Sequence, residues 1–275
     1  GKTTATSLIS AVLESARFDP TTIIGGIVNA YKSTTRIGKS KWMVVEADES
    51  DGSLVNLFPK IAVVTNINKE HLDFYKNISQ LEKCFFRFVN NIPFNGLSVL
   101  CNENLGVRNL KKKISNSNFV SYGFFKNSDV KAKNIIFKKQ SSYFDVEIRK
   151  NFIFKKEIIK NIKLNMLGKH NVLNCLAAIA VAKILNIKTI SIRNAFKKFK
   201  GIKRRFTLIA TIDGVKIFDD YAHHPEEIKA TLELARNLKP NKIIVIFQPH
   251  RYSRFKNLYL DFKKVLKNCD QLYVA

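Results

Sequence analysis

Four carboxylates crowd into the six residues EADESD (46–51), at Glu46, Asp48, Glu49 and Asp51, directly after the apolar run 42–45. Carboxylates this close repel one another unless a cation or hydrogen-bond donors lie among them. A hard divalent ion with oxygen ligands would meet that need. An acidic loop facing solvent is the plainer alternative, although so tight a cluster stands out in a basic chain. The opening residues GKTT offer complementary chemistry. Gly1 permits close backbone approach, Lys2 can reach terminal phosphates, and Thr3 can place its hydroxyl on Mg²⁺. On their own the same four residues also read as a polar helix start, with Thr3 or Thr4 as an ordinary N-cap. A third group, TNINKEHLD (65–73), follows another apolar run and brings in His71 and Asp73. His71 can complete a metal or phosphate site, or serve as a surface or capping residue.

These groups need elements that aim them at one place. Apolar residues at 5, 8, 9, 12, 13 and 16 form one stripe on a helix over 4–17, whose first N–H groups and positive dipole end would suit phosphate. TTIIGG (21–26) reads as a short strand ending in a glycine turn. Residues 42–45 read as a buried strand that turns abruptly acidic, and 60–67 repeat the design with a polar exit. Ligands of open α/β sheets gather where strands end, so both polar exits are candidate sites. With a helix near 78–90 and a strand within 95–104, the pattern predicts a mostly parallel sheet covered by helices. The texture changes over 118–163, where partial alternation and no helical period suggest a strand-rich insertion or sheet edge. Helices follow at 171–186 and about 189–199, and a boundary falls at 200–203. Beyond it come two strands around Asp213-Gly214, a helix at 225–237 opened by Pro225, a buried strand at 242–250, a helix near 255–267 and a final strand.

The chain has 275 residues, 45% of them hydrophobic, enough for one large or two ordinary domains with a real core. It contains no apolar run of about 18 residues, so no membrane insertion is expected. Lys and Arg number 47 against 22 Asp and Glu, a net charge of +25 that could attract nucleic acid or an anionic surface. Lysine is spread over nearly every segment, however, which fits a general compositional bias and predicts no nucleic-acid partner. The four cysteines form no CxxC pair and read as reduced structural thiols.

Taken with GKHNVLN (168–174), GIKRRF (201–206), DDYAHHPEEI (219–228) and FQPHRYSR (247–254), these motifs resemble, in order, the ATP-dependent Mur ligases of peptidoglycan synthesis. GKT alone is a weak signal, whereas the ordered set is specific. The resemblance implies a central P-loop-type α/β domain at 1–202, with its phosphate loop truncated at residue 1. Residues 203–275 would then be part of a Rossmann-like C-terminal domain. An N-terminal domain for the UDP-sugar and the end of the C-terminal domain would be missing, and activity is expected to need them. It further implies a cytoplasmic ligase using ATP and Mg²⁺ to join L-alanine to the lactyl carboxylate of UDP-N-acetylmuramate through an acyl phosphate. A murein tripeptide as the amine is the near alternative, and a non-catalytic basic nucleic-acid-binding module the alternative from another class.

Carried over residue by residue, Gly1, Lys2, Thr3 and Thr4 would hold the ATP phosphates, with Thr3 and Glu46 on Mg²⁺ and His71 on a second Mg²⁺ near the substrate. His170, Asn171 and Asn174 would lie around adenine, and Asp220, rather than its neighbour Asp219, would bind ribose. Arg205 would reach toward phosphate, with adjacent Arg204 leaving that choice open. His223, His224, Arg251 and Arg254 would face substrate, amino acid or transferred phosphate. Each has a plainer alternative: His170 as a helix cap, the Arg204–Arg205 pair as solvent charges, a histidine capping the helix at Pro225, and Arg251 with Arg254 sharing a solvent-facing turn.

Overall fold

In the computed structural model of the chain, residues 1–114, 118–138 and 140–275 are described. The chain divides into two units, Gly1–Gly201 and Ile202–Ala275. The first unit opens with α1 (Lys2–Ser15), which begins two residues before the expected start and so places Lys2 and Thr3 in its first turn. Leu8, Val12 and Leu13 are buried, as are Thr3, Thr4, Thr6, Ser7 and Ser10. The hydroxyls make this burial tolerable: Ser7 donates to the Thr3 carbonyl at 2.8 Å, Thr6 to the Lys2 carbonyl at 3.0 Å, and Ser10 bonds Thr22 at 2.6 Å.

Strands β1 (Thr21–Val28), β2 (Ser33–Arg36) and β3 (Met43–Val45) form a three-stranded sheet in the order β2-β1-β3. β3 runs parallel to β1, and β2 antiparallel. Two expectations are corrected here. The strand does not end in a turn at Gly25-Gly26 but continues to Val28, and the run 42–45 is not a buried strand, since Met43 and Val45 are exposed. The second follows from alternation: Thr22, Ile24 and Val28 are buried, Thr22 against Ser10 of α1, while Ile23, Gly25, Met43 and Val45 lie on the exposed face.

A short 3₁₀ turn at Ser53–Asn56 leads into β4 (Ile61–Val64), α2 (Leu72–Tyr75), α3 (Ile78–Asn90), β5 (Leu97–Cys101), α4 (Leu105–Lys113) and β6 (Phe119–Gly123). There follow β7 (Val130–Lys138), β8 (Ser141–Ile148), β9 (Glu157–Leu164), α5 (Lys169–Ile184) and α6 (Thr189–Lys198). Strands β4 to β9 make one six-stranded sheet in sequence order. It is parallel from β4 to β7 and antiparallel from β7 to β9, so the strand-rich stretch is the antiparallel edge of the same sheet. β5 is buried at every residue and α5 from Val172 to Ala182 almost throughout, which is why α5 reads as apolar nearly all round.

The second unit contains the hairpin β10 (Thr207–Ile212) and β11 (Val215–Asp219), closed by Asp213 and Gly214 with φ of 48° and 81°. Then come α7 (Pro225–Asn237), β12 (Ile244–Phe247), α8 (Tyr252–Asn257), α9 (Tyr259–Leu266) and β13 (Gln271–Val274), with β12 and β13 parallel. The single helix expected near 255–267 is two helices that meet at Leu258. The strand expected to be buried has Ile244 and Ile246 exposed, because its inner side alone packs Phe247 and Ile243 against Ile228, Leu232, Phe262 and Val265. Among the described residues, no helix is long and apolar enough to cross a membrane.

Candidate active site

The sheet sets Glu46. Its N–H donates to the Ile23 carbonyl at 2.8 Å, extending the β1–β3 ladder by one step and leaving the side chain at the strand exit. Both carboxylate oxygens are engaged: Oε1 accepts from the Thr3 hydroxyl at 2.8 Å and Oε2 from the Gly25 N–H at 2.7 Å. A Cβ at Gly25 would stand 3.2 Å from Oε2, so the glycine inside the strand lets the carboxylate come close. Three elements, the first turn of α1, β1 and the end of β3, thus meet on one carboxylate.

Beside it, the Lys2 ammonium donates to Asp48 at 3.0 Å and to Glu49 at 2.5 Å. Burial works against the charged Lys2, but Glu49 and Asp48 outweigh it and its pKa stands above that of an ordinary lysine. Burial also works against the Asp48 carboxylate, yet Lys2 with the Ser50 donors holds its pKa down to about 2. Glu49 is buried, and its Oε1 lies 4.0 Å from His71 Nε2. His71 itself has a φ of 55° and its carbonyl accepts from the N–H groups of Phe74 and Tyr75, which starts α2. The loop before it is pinned by Asn104, whose Oδ1 accepts from Ile67 N–H and whose amide donates to Asn68 at 2.8 Å. One ligand atom each from Asp48, Glu49 and His71 lies within 4.8 Å of the others. Asp73 is exposed in the first turn of α2.

This donor set suits a hard cation beside an anion. It combines a hydroxyl, several carboxylates and one imidazole at the start of a helix whose N-cap is Gly1. A positive charge is already the partner of the acidic loop, in the form of the Lys2 ammonium.

Elsewhere in this unit, His170 lies inside the first turn of α5 and is not its cap, which is Gly168. Asn171 and Asn174 are buried on the same turn; Asn171 donates to the Leu167 carbonyl at 2.7 Å and Asn174 to Asn171 at 3.3 Å.

The second unit assembles the other expected residues. Asp220 is a loop lock, accepting from Phe206 N–H and Ala222 N–H, each at 2.7 Å. Burial raises its pKa, and those two donors only partly offset the effect. Arg204 pairs with Asp219 at 3.2 Å, while Arg205 lies 4.0 Å from Glu227. Both guanidinium groups stand over the Tyr221 ring, at 5.0 and 5.9 Å. The His223 ring meets Tyr221 edge-on and lies 6.2 Å from the His250 ring. His224 is the N-cap of α7 in a reciprocal capping box with Glu227, and burial lowers its pKa. Arg251 has a φ of 65° at the N-cap of α8, and Arg254 donates to the His250 carbonyl at 3.3 Å.

Sequence reasoning put Glu49 in the acidic cluster without singling it out, and missed Gly25, Tyr75 and Tyr221. The Gly-Gly pair inside an apolar run was the available signal for Gly25. Nothing local marks Tyr75, whose hydroxyl bonds the Glu49 carbonyl from 26 residues away.

Comparison with known proteins matches residues 1–182 to the Mur ligase middle domain and residues 204–275 to the Mur ligase glutamate ligase domain. All 275 residues align at 46% identity with the UDP-N-acetylmuramate--L-alanine ligase of Bartonella quintana, and the chain spans 58% of that relative's length. The crystal structure of UDP-N-acetylmuramate-alanine ligase MurC from Thermotoga maritima superposes with a TM-score of 0.80 at 29% identity, covering 100% of this chain and 59% of that one. The MurF ligase of Thermotoga maritima, solved in complex with ADP, shares the fold with a TM-score of 0.79 at 21% identity, covering 100% of this chain and 64% of that one.

Proposed function

The chain belongs to the Mur ligase family, and on that premise we propose that it binds Mg²⁺·ATP at the start of α1 for a ligase that joins L-alanine to UDP-N-acetylmuramate. The observation that carries the reading is the meeting of Lys2, Thr3 and Glu46 where a helix start and a strand exit converge, as phosphate and metal binding require. The name of the Bartonella quintana relative supports the choice of acid and amine.

In this reading, Lys2 turns from Asp48 to the ATP phosphates while staying beside Glu49, with Gly1 and Thr4 beside it at the helix start. Thr3 and Glu46 offer oxygen to Mg²⁺, and His71 to a second ion near the substrate carboxylate. Magnesium would supply charge neutralisation on the phosphates. A lactyl carboxylate oxygen attacks the γ phosphorus and ADP leaves; the alanine nitrogen then attacks the acyl carbon and phosphate leaves. His170, Asn171 and Asn174 serve adenine, and Asp220 the ribose. Arg205 serves phosphate, and His223, His224, Arg251 and Arg254 serve the substrates, the arginines offsetting the negative charge that builds up on transfer. Residues 1–202 and 203–275 are then a central ATP domain and a part of the C-terminal domain. The proposed setting is the cytoplasm, where ATP is supplied.

The test is ADP release by the whole protein that carries this chain, given UDP-N-acetylmuramate with either L-alanine or murein tripeptide. Release with alanine is expected. Release with tripeptide alone, or with neither amine, contradicts the reading.

A further inference from the structure

Glu49 is bonded at its backbone by the last residue of a short helix and at its carboxylate by the phosphate-site lysine, with His71 close by. Its Oε2 accepts from Lys2 at 2.5 Å, and its Oε1 faces His71 Nε2 at 4.0 Å. Its main-chain carbonyl accepts the Tyr75 hydroxyl at 2.5 Å, a buried bond. His71 immediately precedes α2 and Tyr75 ends it, so the two ends of one short segment lie against Glu49, Tyr75 bonded to its backbone carbonyl and His71 4.0 Å from its carboxylate.

Tyr75 is itself anchored. It is buried within the cluster formed by Leu54, Leu81, Cys84 and Phe88, its hydroxyl lies 3.2 Å from Cys84 Sγ, and Phe74 packs edge-on against its ring at 4.9 Å. The acidic loop is shaped to accept these contacts. Gly52, with φ of 73°, turns it beneath Phe74, where a Cβ would come within 3.0 Å of the ring. A buried carboxylate with a fixed backbone and two cationic or metal-binding neighbours is held, whereas the Asp48 side chain in the same cluster is 60% exposed.

We propose that Glu49 is a positioning residue of the phosphate site, setting Lys2 and His71 relative to one another, and that the Tyr75 hydroxyl acts through Glu49 by fixing its carbonyl. The inference rests on the Mg²⁺·ATP reading above. Partners that orient metal-binding groups typically change metal affinity or activity 10–100-fold when removed.

The experiment is calorimetric titration of the chain with ATP, once with Mg²⁺ and once in chelator, for wild type, Glu49→Gln, Tyr75→Phe and the double variant. Thermal midpoints report the fold. Removing the carboxylate should lower the Mg²⁺-dependent gain in ATP affinity by about tenfold, while metal-free ATP affinity holds or rises because a negative charge is gone. Tyr75→Phe keeps the ring packing and should shift the same gain in the same direction by a smaller factor. Added to Glu49→Gln, it should change the gain no further, since the hydroxyl acts through that side chain. A purely structural role would move both affinities together and make the two substitutions additive; either result overturns the inference while the ATP reading stands. Absence of Mg²⁺-dependent ATP binding in the wild-type chain overturns both.

Discussion

At the scale of single residues, the site depends on how closely a carboxylate can approach a backbone. Glu46 bonds Thr3 and Gly25 together because no side chain intervenes at Gly25. Gly25→Ala would place a methyl group 3.2 Å from Oε2 and push the carboxylate by a few tenths of an ångström. Mg²⁺·ATP affinity is therefore expected to fall about tenfold, with a change in thermal midpoint too small to explain it, measurable by calorimetry on one preparation. Lys2, Thr3 and Glu46 were legible in the sequence because each is a polar residue at the margin of an apolar pattern. Glu49 was legible as an acid, but its partners were not. Tyr75 reaches its carbonyl through tertiary packing, which a local pattern does not encode.

At the scale of elements, periodicity located the helices and strands and failed where exposure departs from hydrophobicity. Met43, Val45, Ile244 and Ile246 are apolar, yet exposed, because each belongs to a small sheet with one inward face. The split at Leu258 was hidden because apolar residues continue across it. The start of α7 was legible as a Pro-Glu-Glu signal, and His224 completes it as a capping box. Replacing His224 with Ala is expected to cost about 1 kcal/mol, the ordinary worth of an N-cap. Burial depresses the His224 pKa, with Glu227, Arg254, Glu226 and Asp261 adding smaller effects of both signs. The unfolded state therefore takes up the proton first. Its stabilising effect is full above the free-histidine value of about 6.5 and is lost as pH falls below it toward the folded value. Denaturant unfolding of the second unit between pH 8 and 5 should show that loss, and His224→Asn should flatten it while keeping a cap.

At the scale of the whole molecule, two units carry separate buried clusters. The first is served by the long helices and the six-stranded sheet, the second by Ile228, Leu232, Ile243, Phe247, Phe262, Val265 and Leu266. Smaller cores leave less stability in reserve. Hydrogen exchange is thus expected to protect β5 and α5 longest and to release α7, α9 and β12 first; uniform protection across both units would contradict it. The structure divides into compact units after Gly201, where the order of elements also resets in the sequence, whereas the contacts that stabilise each unit emerge only on folding. The central claim is that Lys2, Thr3 and Glu46 form a Mg²⁺·ATP site. The most direct test is calorimetric titration of the chain and of its Lys2→Met variant with ATP and Mg²⁺. Saturable binding by the wild-type chain, weakened about 10- to 100-fold by losing the ammonium, is the expected result, since a hydrogen bond to a charged group is worth about 1.5–3 kcal/mol. Equal affinity in the two proteins, or no binding by the wild-type chain, would contradict it.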